Sequence, residues 1–212
     1  MTTEHANASL KTRFAGYLPV VIDVETAGVN PLKDALLEIA AVLIETNDQG
    51  QFIPGETFST HVIPFEGAHL DPTALEINKI DPYHPFRFAI EEKKALNELY
   101  TFVSKAVTRH SCRRAVLVGH NAHFDLSFIQ IANKRCKIAT TPFHAFTCFD
   151  TATLAGLAFS QTILAKALRA AGIPFNKKEA HSAVYDAQRT AELFCQIVNR
   201  VELKSLMSKD QA

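Results

Sequence analysis

The chain has 212 residues, 47% of them apolar, which is enough to bury one core without a second domain. Lysine plus arginine equals aspartate plus glutamate, 22 of each, so no global positive field marks a nucleic-acid binder. Four cysteines stand far apart without CxxC spacing, which argues against zinc and for a reduced, cytoplasmic protein; the opening "MTTEHANASLKTR" has no apolar core, and no run nears 18 apolar residues, so neither signal peptide nor membrane span is expected.

A basic segment, residues 1–17, precedes what reads as a single domain over 18–205. Basic residues cluster locally (Lys11 with Arg13, Arg109 with Arg113 and Arg114, and "NKRCK" at 133–137), and each cluster taken alone reads as a solvated face. Residues 18–24 form a β-branched apolar run, a buried strand. "LLEIAAVLIE" (36–45) and "FSTHVIPF" (58–65) are strand-like, and the turn signal "TNDQG" between them predicts an antiparallel meander of three strands. Pro72, Pro82 and Pro85 punctuate short helical pieces, the first opened by Asp71 as N-cap with Pro72 at the first helical position. Leu96, Leu99, Val103 and Ala106 recur at helical spacing, predicting a helix that ends near Arg109. A short apolar strand at 115–120 leads into a helix through "NAHFDLSFIQIANKR", and "HAFTCFD" (144–150) leads into helical "TATLAGLAF". A helix over 162–171 stops at Gly172 and Pro174, and Val184, Ala187, Ala191, Phe194 and Val198 mark the last one. Strands first, then strands alternating with helices, predict an α/β fold: a mixed sheet flanked by helices.

The first strand, "PVVIDVET", raises a question of charge. Asp23 and Glu25 alternate with Val24 and therefore share one face. At a separation of roughly 6.6 Å and an effective dielectric near 20 they repel by about 2.5 kcal/mol. Water, a basic side chain or a cation must offset that. Asp125, in "GHNAHFDLSF", sits in the first turn of the helix after a buried strand, and Asp186, in "HSAVYDAQRT", near the start of the last helix. Either acid alone also reads as a complement to the helix dipole. His181 precedes Asp186 by five residues, about 140° around a continuous helix, so it can join Asp186 only from the connection before that helix.

"IDVETAG", "HNAHFD" and "HSAVYDAQRTA" resemble, in order, the three exonuclease motifs of the DEDD superfamily in its histidine-bearing branch. The likeness continues through "DALLEIAAV", "NPL", "IDP", "FDTA", "AGLAFSQT" and "LFCQIVNR", over nearly the whole chain, and is closest to the tRNA-trimming ribonucleases of that branch. It implies a ribonuclease H-like mixed five-stranded sheet and a 3′→5′ exoribonuclease. It further implies two Mg²⁺ ions held by Asp23, Glu25, Asp125 and Asp186, with Asp23 shared between them, Glu25 and Asp186 on the nucleophile side, and Asp125 supporting the other. Four carboxylates without a cysteine suit that hard cation. His181, with an ordinary pKa near 6.5, is suited to act as general base. Asp150 is expected to cap a helix or brace the site.

For substrate, the resemblance implies 3′ ends of tRNA, rRNA precursors and other structured RNAs, with single-stranded DNA ends also accepted. Aromatic wedges are expected to stack on the last two bases and to slow cleavage at terminal cytosines. Phe124 and Phe146 match that pattern; Val29 and Ile77 stand where phenylalanine is expected and Thr73 where glutamate is, which predicts weaker discrimination. The resemblance also implies a homodimer in which a basic patch on one protomer feeds RNA to its partner. Arg13 and Arg114 match the patch, and Arg113 with Lys11 stands in for the basic residue replaced by Ala15. Two readings in the same superfamily remain open, a proofreading DNA exonuclease and an oligoribonuclease. An inactive nucleic-acid-binding module is the alternative from another class, and the presence of all four acids and the histidine speaks against it.

Overall fold

The computed structural model of the protein describes residues 10–201; residues 1–9 of the expected basic segment and 202–205 of the expected domain lie outside them. The central strand, β1 (Tyr17–Thr26), carries the near-continuous apolar run that a strand buried on both faces requires, with Leu18, Val20, Val21 and Ile22 all buried. It pairs antiparallel with β2 (Leu36–Thr46), which pairs antiparallel with β3 (Phe52–His61). On its other side β1 pairs parallel with β4 (Arg114–Gly119), which pairs parallel with β5 (Phe143–Asp150). The order is β3-β2-β1-β4-β5, a mixed five-stranded sheet, as expected.

The β2–β3 turn is built by Asn47, whose side-chain oxygen accepts the backbone N–H of Gln49 (3.1 Å) and Gln51 (2.9 Å), with Gly50 at φ +76°. The third strand begins and ends earlier than the apolar pattern places it. It starts pairing at Phe52, opposite Thr46, and from Val62 the chain leaves the sheet to bridge to Ile90. β3 is an edge strand of mostly exposed and half-buried residues, so its polar first half carries no apolar signal.

The helices are α1 (Leu10–Arg13), α2 (Pro72–Asn78), α3 (Glu92–Arg109), α4 (His123–Arg135), α5 (Thr151–Phe159), α6 (Leu164–Ala171) and α7 (Ala183–Arg200). Asp71 caps α2 as expected, accepting the N–H of Thr73 at 2.8 Å. α3 buries its Leu96, Leu99, Val103 and Ala106 stripe and packs beside α4. α7 lies across β1, β2 and β3 with α5 and α6 against it. α4 and α6 each start two residues later than their sequence patterns imply, at His123 and Leu164. Asn121, at φ +65°, is turned out of the helical region, which delays α4. The described part of the basic segment belongs to the core: Leu10 is buried, and the Phe14 ring lies 5.4 to 6.0 Å from those of Phe52, Phe149 and Phe194. All four cysteines are free, and no described helix is long and apolar enough to cross a membrane.

Candidate active site

Strand pairing decides which acids meet. β1 presents Asp23 and Glu25 on one face, and its antiparallel neighbour places Ala40 opposite Asp23 and Glu38 opposite Glu25. The parallel pairing with β4 stops at Val21–Val118. The backbone N–H of Val24, beyond that point, is taken by the Asp125 carboxylate at 3.0 Å. Asp125 reaches it because β4 ends in Gly119. A Cβ there would lie 3.0 Å from the Ala122 Cα and 3.1 Å from Asp125 Oδ2, so a side chain at that position would push the first turn of α4 away.

From the other side, the first turn of α7 brings Asp186. Its Oδ2 accepts the backbone N–H of His181 at 3.0 Å, while its Oδ1 is buried with no hydrogen-bond partner. His181 lies before the helix, exposed and at φ +67°, on the connection where the helical geometry requires it. Glu25, His181 and Asp186 each offer a ligand atom within 4.8 Å of the others. A cavity of about 430 Å³ is lined by all four expected acids, His181 and Phe124.

The acids are short of compensation. Among the described residues, none of Asp23, Glu25, Asp125 and Asp186 forms an ion pair. Burial, followed by the charges of Asp125, Glu25, Asp186 and Glu38, raises Asp23 well above the usual carboxylate range. Burial and then Glu38, Asp186 and Asp125 push Glu25 up to about 8, against a hydrogen bond from the Asn78 side chain. Burial lifts Asp125 to about 8 despite the N–H of Val24, and it raises Asp186 as well. A pocket of hard oxygen ligands, one of them orphaned, with histidines but no lysine or arginine in its lining, is what a divalent cation fits.

Besides His120, Asn121 and His123, which also line the pocket, two participants escaped the sequence reading. Glu38 is buried at 7% exposure; the backbone N–H of Ala183 at the start of α7 and the charges of His61 and Arg87 offset part of its burial. The available signal was an acid inside the otherwise apolar "LLEIAAVLIE". Asn78, at the end of α2, is the second; its amide also donates to the carbonyl of Thr26 at 3.1 Å. Asp150 lies where it was expected to brace the site, capping α5 through the Ala152 N–H (2.8 Å) and accepting the Asn121 N–H at 3.2 Å.

The expected substrate residues divide. Phe124 lines the pocket and leans on Phe128, with ring centroids 5.0 Å apart. Val29, Ile77 and Phe146 are exposed at 82%, 56% and 80%, and Thr73 is exposed in the first turn of α2. The three arginines gather at the opposite end of β1 from the acids. Arg113 lies over the Tyr17 ring at 5.2 Å and bonds the Ala15 carbonyl, and Arg114 pairs with Tyr17 in the sheet and bonds the Thr141 carbonyl at 3.2 Å. The Arg13 guanidinium is turned to the carbonyls of Val198 (3.2 Å) and Val201 (3.1 Å), where it closes the carboxyl end of α7.

An exonuclease family model, RNase_T, matches residues 20–194. The chain is 55% identical to ribonuclease T of Vibrio campbellii, over 94% of each chain. It is 56% identical to ribonuclease T of Marinobacter nauticus, over 90% of this chain and 86% of that one. Among solved structures, E. coli exonuclease I in complex with a dT13 oligonucleotide superposes with a TM-score of 0.66 at 19% identity, over 87% of this chain and 41% of that one. The chain thus spans about two fifths of exonuclease I, and that likeness is one of fold. With motifs, fold and relatives in agreement, the chain belongs to the ribonuclease T family of exonucleases, hydrolases that cut phosphodiester bonds from the 3′ end.

Proposed function

We propose that the protein is a Mg²⁺-dependent 3′→5′ exoribonuclease that trims tRNA and other structured RNAs, rRNA precursors among them, and also accepts single-stranded DNA ends. The observation that carries this reading is the set of four acids around one pocket, none in an ion pair among the described residues, with Asp186 Oδ1 buried and unpartnered. Relatives named ribonuclease T at 55% identity support RNA as substrate, and a zinc-bound form of exonuclease I supports a divalent cation. Asp23, Glu25, Asp125 and Asp186 would hold two Mg²⁺ ions. Such ions supply positive charge against the oxygens of the phosphoryl group as it is transferred.

The remaining work falls to side chains of the chain itself. His181 takes a proton from the attacking water; the tie between its N–H and Asp186 keeps it at the rim of the pocket. Asn78 steadies Glu25, and Glu38 holds the start of α7, which carries Asp186. Val29, Thr73, Ile77, Phe124 and Phe146 receive the last bases, with Phe124 and Phe146 supplying the stacking faces. In this reading the exonuclease domain spans 18–205 and works in the cytoplasm.

We assign Arg13, Arg113 and Arg114 to a basic patch that serves the partner of a homodimer. What supports action across a dimer is distance. Tyr17 and Asp23 lie at opposite ends of one strand, roughly 20 Å apart by its rise, so arginines beside Tyr17 do not grip a phosphate in the same chain's pocket. Arg113 and Arg114 are exposed and each spends one donor nitrogen on a carbonyl, leaving the others to meet RNA, whereas Arg13 contributes its charge from the end of α7. A time course on 3′-labelled tRNA tests the whole reading. Nucleotides should be released with Mg²⁺, release should stop in EDTA, and it should resume when Mg²⁺ is restored. Cleavage that continues in EDTA would refute it.

A further inference from the structure

A second cleft, of about 450 Å³, shares His181 with the acidic pocket. It runs between Lys79, at the end of α2, and Lys178, on the connection leading to His181, and Ser182, Tyr185 and Gln188 also line it. Neither lysine forms an ion pair with any described acid. The one acid on the same wall, Glu179, accepts a hydrogen bond from the Asn176 amide at 3.0 Å. Lys79 is next to Asn78, which bonds Glu25, so the cleft begins where the catalytic pocket ends.

The backbone adds a second observation. Lys79 has φ +58° at the carboxyl end of α2, a left-handed position that glycine usually fills because a Cβ is disfavoured there. A lysine stands there, and among the described residues its ammonium has no ion-pair partner. Seven other non-glycine residues among those described also have positive φ, so the conformation marks a local cost, and the unpaired ammonium lining the cleft is what marks the site.

The geometry points to a phosphate-binding cleft between Lys79 and Lys178, which takes a nucleotide phosphate next to the hydrolytic centre. The inference rests on the exonuclease reading. In that reaction an oxygen of water bonds to phosphorus as the bond from phosphorus to the 3′ oxygen of the remaining strand breaks. The water gives up a proton to the base, the departing 3′ oxygen takes a proton from solvent and becomes a 3′ hydroxyl, and a nucleoside 5′-monophosphate is freed. To leave the Mg²⁺-bearing acids that phosphate must pass to another positive site, and past His181 the adjoining cleft offers Lys79 and Lys178, neither in an ion pair among the described residues. A phosphate in the cleft has two sources, the freed nucleotide or the backbone of a bound strand.

The test uses the full-length protein with Mg²⁺, a short single-stranded oligonucleotide and AMP as inhibitor. If the cleft takes the freed nucleotide, Lys79→Gln with Lys178→Gln should raise the inhibition constant of AMP by about fivefold or more. If it takes the strand, that constant stays put, the oligonucleotide KM rises, and the log-log salt dependence flattens by about 0.7 for each phosphate no longer neutralised. No change in either would overturn the inference. Lys79→Gly supplies a readout outside catalysis: it should melt higher than wild type while losing affinity for AMP or oligonucleotide as the double variant does. A Lys79→Gly protein that melts lower would overturn the argument that lysine stands there at a cost. Wild-type protein that fails to cut the oligonucleotide in a single turnover would instead bring down the exonuclease reading itself.

Discussion

Without a cation, the stability of this protein should fall as pH rises through neutrality. Glu25 shows the sign. Its carboxyl moves from 4.5 to about 8 on folding, so the folded state holds its proton more tightly than the unfolded chain. Stability is full below the unfolded value near 4.5 and is lost progressively as pH climbs to 8. At about 1.4 kcal/mol per pH unit, that interval sets a ceiling of about 5 kcal/mol for Glu25. Glu25 is only partly buried and shares its repulsion with Asp23, Glu38, Asp125 and Asp186, so half the ceiling, about 2–3 kcal/mol, is the working figure. For a domain of this size that is a fall of about 5–10 °C in Tm between pH 5 and pH 9. Thermal melts in EDTA at pH 5, 7 and 9, repeated with Mg²⁺, measure it. Mg²⁺ should flatten the dependence by supplying the missing charge, and Asp23→Asn should flatten part of it without metal. A metal-free Tm that holds constant across this range, or rises, would refute the electrostatic account of the pocket.

His181→Ala should lose about 10²–10⁴-fold in rate, and a variant that keeps the wild-type rate in single turnover would exclude His181 as the base. Arg113→Ala with Arg114→Ala should raise KM and flatten the salt dependence, by about one unit for each phosphate that the arginines no longer neutralise. Mixing that protein with Asp23→Asn should recover activity, because the mixed dimer holds one intact patch facing one intact site; mixtures that stay inactive despite subunit exchange would count against action across a dimer. Val29→Phe with Ile77→Phe should sharpen the penalty at a terminal cytosine by about fivefold for each kcal/mol of added stacking, and Phe146→Ala should blunt it. An unchanged cytosine penalty in both would remove these positions from base discrimination.

The acids and the histidine were legible because each lies in a short motif whose spacing fixes its geometry. Alternation put Asp23 and Glu25 on one face, and the helical step placed His181 off α7. What could not be read depends on contacts between distant parts of the chain. Glu38 acquires its place from strand pairing with Glu25 and from the start of α7, neither of which a local window shows. Arg13 reads as surface charge, yet its guanidinium meets carbonyls 185 and 188 residues away. The start of β3 was invisible for another reason: an edge strand needs little apolar content, so "IPGET" gives no periodic signal.

Gly119 shows how a residue without chemistry can set the position of one that has it. Its missing Cβ lets α4 turn tightly enough for Asp125 to reach the backbone of β1. Alanine there would leave the sheet intact and every catalytic side chain encoded, while shifting one carboxylate by a few tenths of an ångström or more. Homologues that keep all four acids and the histidine but lack this glycine are therefore candidates for inactive proteins, and a search for lost function that scores only the reactive residues would pass them as intact.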